Sequence, residues 1–347
     1  MPHKNILPLR KSDYLLIMLH KMRAFNFVRM LMPNILTVLN YHRIDEPYSK
    51  GFDTFRPNIS ASPSEFSKQM DFVARNYHVI SEAELVAFIW HGQKLPPRAA
   101  LITFDDGYLD NYTIAYPILK AKSLPAIIFL ATDYIGADKP FYWDLVAYCF
   151  HYTNKDYADL PHIGGKSWVD DLSRARVMLA WIETLKKIPD TDKQKIVERL
   201  PDILGVGVGD DAFKGLTISW SQAREMNANG IGMGGHTVSH PILTRISLDD
   251  ATLELSRSKQ RIEDELKIPV FSFAYPNGQS TDFNDNITTR VKQVGYKAAF
   301  TLLSGPTRHA TVANQPFSIR RIFLSHEDNF SRFIAKLTGL PRIIQRW

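Results

Sequence analysis

The chain has 347 residues, 45% of them hydrophobic, which is enough to bury a large core in one domain or two. Its formal net charge of +6 is mild, and its basic residues are dispersed among acidic ones, a pattern that argues against a dedicated nucleic-acid binder. Cys149 is the single cysteine, so no intrachain disulfide can form and nothing points to an oxidising compartment.

Residues 1–34 read as a basic amphipathic segment. The run YLLIMLHKMRAFNFVRMLM is interrupted by His20, Lys21, Arg23 and Arg29, so it falls short of the ~18 unbroken apolar residues a bilayer span needs. Leu15, Met18, Leu19 and Met22 recur at helical spacing, which predicts a helix that either packs on the domain or lies on an anionic membrane surface. The opening residues lack the ordered regions of a secretory signal. The expectation is therefore a cytoplasmic protein, at the inner face of the membrane if the segment binds lipid.

Residues 35–325 alternate short apolar runs with amphipathic segments, which predicts an α/β domain built on a parallel sheet closed as an irregular (β/α) barrel. ILTVLNYH is the first strand. Ser62, Pro63 and Glu65 then open a helix, and Ser81 with Glu84 opens a second. AALITF is a strand, YPILKAKS a helix and PAIIFL a strand. Residues 145–216 break this rhythm with RARVMLAWIETLKKI and TDKQKIVERL, predicting a helical insertion that ends in GVGVGDD. GVGVG has neither the strand-turn-helix context nor a third glycine at the spacing a dinucleotide site requires. GIGMGG, VFSFAYP and YKAAFTL resume the strands, and residues 326–347 read as a terminal helix or tail.

Two constellations carry chemistry. In ITFDDGYLDNY, Asp105 and Asp106 follow directly on a strand, at the end where parallel α/β folds put their sites. Side chains alternate along a strand, so two neighbouring acids can face different places and hold different roles. In GGHTVSHP, His236 and His240 lie four apart, which on one helical turn sets both imidazoles on the same face. Two histidines with a carboxylate make a three-ligand metal set with a position left open. Each motif also has a plainer reading, a turn for DDG and a solvated helix for the histidines.

Together, TFDDG and HTVSH, with YHRI, YPILKAKSLPAIIFLATDYIG, WDL and FAYPNG around them, resemble the NodB-type polysaccharide deacetylases, carbohydrate esterase family four, over roughly Leu36 to Arg321. The resemblance implies that Asp106, His236 and His240 hold a divalent metal, zinc by preference, and that Asp105 is the general base toward the attacking water. It implies an oxyanion contact from the backbone N–H at Asn277. His42, in YHRI, is preferred as the general acid over His326, in IFLSH. The family's third motif usually carries an arginine partner for the base, but here that position is Ala274. Arg320 and Arg321 are candidates for the missing arginine, and Arg321 is preferred. Trp143, Tyr108 and Tyr275 are expected to contact substrate, with Tyr142, Asn111 and Tyr112 as further candidates. The implied function is metal-dependent removal of N-acetyl groups from amino-sugar residues of a polysaccharide or a saccharide precursor, in bacterial exopolysaccharide or surface-glycan synthesis. Deformylation, O-acetyl ester hydrolysis on a lipid-linked sugar, and a catalytically inactive glycan-binding relative are the alternatives.

Overall fold

The structure is a computed structural model, and it describes residues 10–339. Its frame is a parallel sheet of β1 (Ile35–Tyr41), β2 (Ala99–Phe104), β3 (Ala126–Leu130), β4 (Ile231–Gly235), β5 (Ser272–Ala274), β6 (Ala298–Ser304) and β7 (Ile319–Phe323). Each strand pairs in parallel with the next, and β7 returns to pair with β1, so the sheet curls into the expected irregular barrel. The seams are uneven. β1 and β2 run in register from Thr37 with Ala100 to Tyr41 with Phe104, whereas β4 and β5 meet at one registered pair, Gly235 with Phe273.

A strand covered on both faces must be apolar at every position, and AALITF and AIIFL are buried throughout. Against this background Asn40 in β1, Thr103 in β2 and Arg321 in β7 are polar side chains sealed in the wall. Ser62 caps the Pro63–Asn76 helix by accepting from the Glu65 N–H, and Ser81 and Glu84 cap the Glu82–His91 helix reciprocally.

Two expectations need correction, and one element gains a detail. The N-terminal segment is two helices, Lys11–Lys21 and Ala24–Met30, because Arg23 breaks the run with a left-handed φ of 58°. Leu16 and Phe25 are buried and Leu19 packs against the core, while Leu15, Met18 and Met22 face solvent. The insertion is not purely helical: between the Tyr142–Tyr152 and Asp171–Leu185 helices it carries an antiparallel hairpin, Tyr157–Leu160 with Gly164–Ser167. The strand YADL alternates exposed and buried side chains, which is a two-residue period that helical reading of the region passes over. The insertion has its own core, in which Trp181, Leu185 and Leu200 join Phe141, Trp143 and Phe150. Finally, the helix Tyr116–Ala121 is preceded by a π-helical turn over Asn111–Ala115. Residues 340–347 of the predicted tail and 1–9 of the N-terminal segment lie outside the described residues; the Phe330–Leu337 helix is present.

Glycine in GIGMGG lets β4 approach its neighbours closely. A Cβ on Gly234 would stand 2.5 Å from Phe129 Cδ1 and 2.9 Å from the Ser272 carbonyl oxygen, and the backbone atom cannot give way. Gly234→Ala is therefore expected to destabilise the fold by roughly 1–3 kcal/mol, read as a lowered midpoint in urea. An unchanged midpoint would show that the sheet has slack there.

Candidate active site

At the carboxyl ends of these strands the chain brings together His42, Asp105, Asp106, His236 and His240, β7 adds the side chain of Arg321, and Asn277 lies on the loop that follows β5. The two adjacent acids part company through the backbone. Asp105 continues the strand, its N–H donating to the Tyr41 carbonyl, while Asp106 turns into the left-handed region at φ 73° and Gly107 follows at 79°. At Gly107 a Cβ would lie 2.7 Å from Ile135 Cδ1, so neither the conformation nor the space suits a larger residue. Asp105 consequently meets Arg321 on one side, and Asp106 meets the two histidines on the other.

The Asp105–Arg321 pair is bidentate. Arg321 Nη1 donates to Oδ1 at 2.6 Å and Nη2 to Oδ2 at 2.9 Å, Asn40 Nδ2 donates to Oδ2 at 3.0 Å, and Arg321 Nε donates to the Thr301 carbonyl. The arginine that the sequence lacks at Ala274 thus arrives from another strand. Its neighbour Arg320 is half-buried. Burial opposes ionisation of Asp105, but Arg321, with His236 and His42 beside it, outweighs burial and holds the carboxyl well below the usual carboxylate range. His42 Nε2 stands 3.8 Å from Asp105 Oδ2. Burial, joined by the charges of Arg321 and His236, brings this imidazole down to about 4 against the pull of Asp105, so it is neutral at pH 7.

Asp106 has the opposite environment. Both of its carboxylate oxygens are buried, with no hydrogen-bond partner among the described residues. Burial, then the charges of Asp105 and Asp144, pushes its carboxyl well above the usual range. Its Oδ1 lies 3.6 Å from His236 Nε2 and 3.4 Å from His240 Nε2, and the two Nε2 atoms are 3.1 Å apart. His236 Nδ1 sits 2.7 Å from the Ala274 carbonyl, which can only accept, so Nδ1 carries the proton and Nε2 presents its lone pair. Burial lowers both imidazoles and keeps them neutral. A bare buried carboxylate and two converging imidazole Nε2 atoms, with ligand atoms all within 4.8 Å of one another, fit a divalent cation.

The histidines do not share a helical turn, as their spacing suggests. They lie on the loop after β4, which turns back on itself through left-handed residues at Thr237 (φ 68°) and His240 (φ 61°). Glu254, on the Leu248–Leu266 helix, holds this loop by accepting from the Val238 N–H at 2.7 Å, the Ser239 N–H at 2.9 Å and the Ser239 hydroxyl at 2.7 Å. Nothing in the local sequence marks Glu254, since it is one acid among several on an amphipathic helix. Asn40 carried a weak signal, a polar residue inside ILTVLNY.

The expected sugar contacts fare differently. Tyr108 is fully buried, donating to Asp144 Oδ2 at 2.7 Å and accepting from Trp143 Nε1 at 2.7 Å. Trp143 is on the first turn of the Tyr142–Tyr152 helix, stacked on Phe141 and edge-on to His240 at 4.8 Å, so its faces are already covered. Tyr275 is a core residue stacked on Phe283, with its hydroxyl on the Phe317 carbonyl. These three rings are corrected from substrate contacts to structural supports, because polar partners and apolar packing hold each of them inside. Asn111 is buried and donates to the His42 carbonyl, while the Tyr112 hydroxyl donates to Glu225. Tyr142 is half-buried, with the Lys193 ammonium over its ring. Asn277 has φ 59° and gives its side-chain amide to Asp282. His326 is tied to the Ile59 carbonyl through Nδ1 and stacks edge-on with Tyr48.

A sequence model of the family described as polysaccharide deacetylase matches residues 92–299, well over half of the chain. The chain belongs to the polysaccharide deacetylase family. YxkH of Bacillus subtilis is 33% identical to it over 105 residues, which is 30% of this chain. A poly-beta-1,6-N-acetyl-D-glucosamine N-deacetylase of Staphylococcus aureus is 30% identical over 123 residues, or 33% of this chain. These alignments span 34% and 42% of the two relatives' own lengths. Among solved structures, the deacetylase PplD of Streptococcus pyogenes in complex with acetate superposes with a TM-score of 0.59 at 19% identity, covering 88% of this chain and 99% of that one. IcaB from Ammonifex degensii gives 0.57 at 19%, covering 88% and 98%. At these identities the superpositions speak for the fold, and the barrel of this chain is the deacetylase fold.

Two outcomes follow from the geometry. Arg321→Ala strands a buried carboxylate and is expected to cost about 3–5 kcal/mol at neutral pH. Because the folded-state value of Asp105 is depressed, the pair's contribution is present above the unfolded carboxylate value of about 3.9 and is lost as pH falls through the folded value, so the deficit of the variant should narrow in acid. Urea unfolding at a series of pH values measures this, and a deficit independent of pH would contradict it. Glu254→Ala, by loosening the loop, is expected to weaken the affinity of this candidate site for an added divalent cation about 10–100-fold in a calorimetric titration, with the histidines themselves intact.

Proposed function

We propose that the chain is a metal-dependent hydrolase that removes N-acetyl groups from amino-sugar residues of a polysaccharide, in exopolysaccharide or surface-glycan synthesis. The observation that carries this reading is Asp106, buried with both oxygens unpartnered among the described residues beside the Nε2 atoms of two histidines, next to a separate carboxylate that Arg321 keeps ionised. Asp106, His236 and His240 would hold the ion, and their one-oxygen, two-nitrogen donor set suits zinc. When bound, such an ion lowers the pKa of a water toward ~7 and polarises the acyl carbonyl.

The chain's own residues divide the proton work. Asp105 Oδ2 accepts the proton of the attacking water, with Arg321 and Asn40 fixing the plane of its carboxylate. His42, neutral at rest, takes that proton on Nε2 and delivers it to the nitrogen of the departing amine. The water oxygen joins the acyl carbon, the C–N bond breaks, and acetate and a free amino sugar result. In this reading the Asn277 backbone N–H donates to the oxyanion as it forms. The name of the Staphylococcus aureus relative makes β-1,6-linked N-acetylglucosamine oligomers the first substrate to try.

The test couples metal analysis to acetate release on such oligomers. The wild type should bind about one zinc and release acetate; His236→Ala should lose both, and Asp105→Asn should keep the zinc while losing at least ~100-fold in kcat. Zinc binding without acetate from any N-acetylated oligomer would sink the assignment. Because His42 must be neutral to accept the proton, kcat/KM should fall only as pH drops toward about 4. An acid limb near 6.5 would instead mark a solvent-exposed histidine.

A further inference from the structure

The helices Lys11–Lys21 and Ala24–Met30 form a hairpin fastened to the barrel's flank. Phe25 and Leu16 enter the core, Arg332 pairs with Asp13, His20 Nδ1 lies 3.0 Å from the Ser331 hydroxyl, and Arg29 reaches Asn76 while its guanidinium lies over Phe72. The outward side is apolar. Of the seventeen large apolar side chains that the described residues expose, eight lie between Tyr14 and Met32, and Tyr14, Met22, Phe27, Met30 and Leu31 are each at least 59% exposed. Such a concentration on a held surface marks a docking face.

The charges around it select the occupant. Lys11, Lys21 and Arg23 are exposed and form no ion pair among the described residues, and from Tyr14 to Asn34 the sequence contains no acidic residue. A second copy meeting this face about a two-fold axis would set these cations against themselves, whereas anionic lipid headgroups would neutralise them while the methionine and aromatic side chains enter the acyl boundary. Among the described residues no helix is long and apolar enough to cross a membrane, so the hairpin would lie on a bilayer. We propose that this hairpin face docks the protein on an anionic membrane surface, an inference that stands apart from the chemistry of the barrel.

The experiment is vesicle flotation of the full chain with phosphatidylcholine alone or mixed with phosphatidylglycerol. The wild type should float with the anionic vesicles, and less so with neutral ones or at high salt. Met22→Asp with Met30→Asp, and separately Lys21→Glu with Arg23→Glu, should each reduce partitioning at least about tenfold, at unchanged thermal midpoint. Two kinds of result would overturn the proposal. One is absent or charge-independent flotation of the wild type, or equal flotation of the charge-reversed variant, which serves if the aspartate variant misfolds. The other is a concentration-dependent dimer in sedimentation velocity that the aspartate pair dissolves, which would assign the face to a second copy.

Discussion

Two adjacent carboxylates are sealed in the mouth of one barrel, and they are partnered differently. Among the described residues Arg321 takes both oxygens of Asp105, and no side chain donates to either oxygen of Asp106. Burying two like charges side by side would otherwise drive a proton onto one of them. The internal ion pair keeps Asp105 a carboxylate, and the unpartnered acid beside it becomes the place where an external cation fits.

The rest of the site serves that asymmetry. Left-handed turns at Asp106 and Gly107 swing the second acid away from Arg321, and left-handed turns at Thr237 and His240 fold the histidine loop back over it. Such conformations are costly and need support. Glu254 provides it from behind the loop with three accepted hydrogen bonds, and the Ala274 carbonyl sets the tautomer of His236. Ala274, where the resemblance led to an arginine being expected, thus takes part in the site through its backbone carbonyl.

The insertion is joined to this centre. Asp144 receives the Tyr108 hydroxyl, Tyr108 receives the Trp143 indole N–H, and Trp143 stands edge-on against His240. The first turn of the inserted helix thus bears directly on a histidine of the site, and the insertion's own core begins at the same rings. Aromatic residues beside a site in sequence suggested sugar stacking; their hydrogen-bond demands, met within the protein, made them a wall.

Sequence patterning pointed to a barrel-like parallel α/β domain, because apolar strands alternate with capped amphipathic helices, and it singled out Asp105, Asp106, His236 and His240 at strand ends; their roles as base and ligands came from the resemblance and are part of the proposed function. It also pointed to Arg321, though only as a choice between neighbours. Local pattern could not show which acids are partnered, that the histidines lie on a turned loop, or that Glu254 and Asn40 hold the neighbours in place. Those facts depend on contacts between β7 and β2, between the Leu248–Leu266 helix and the β4 loop, and between the insertion and His240. Such partners lie far apart along the chain, and only the closed barrel brings them within hydrogen-bonding distance.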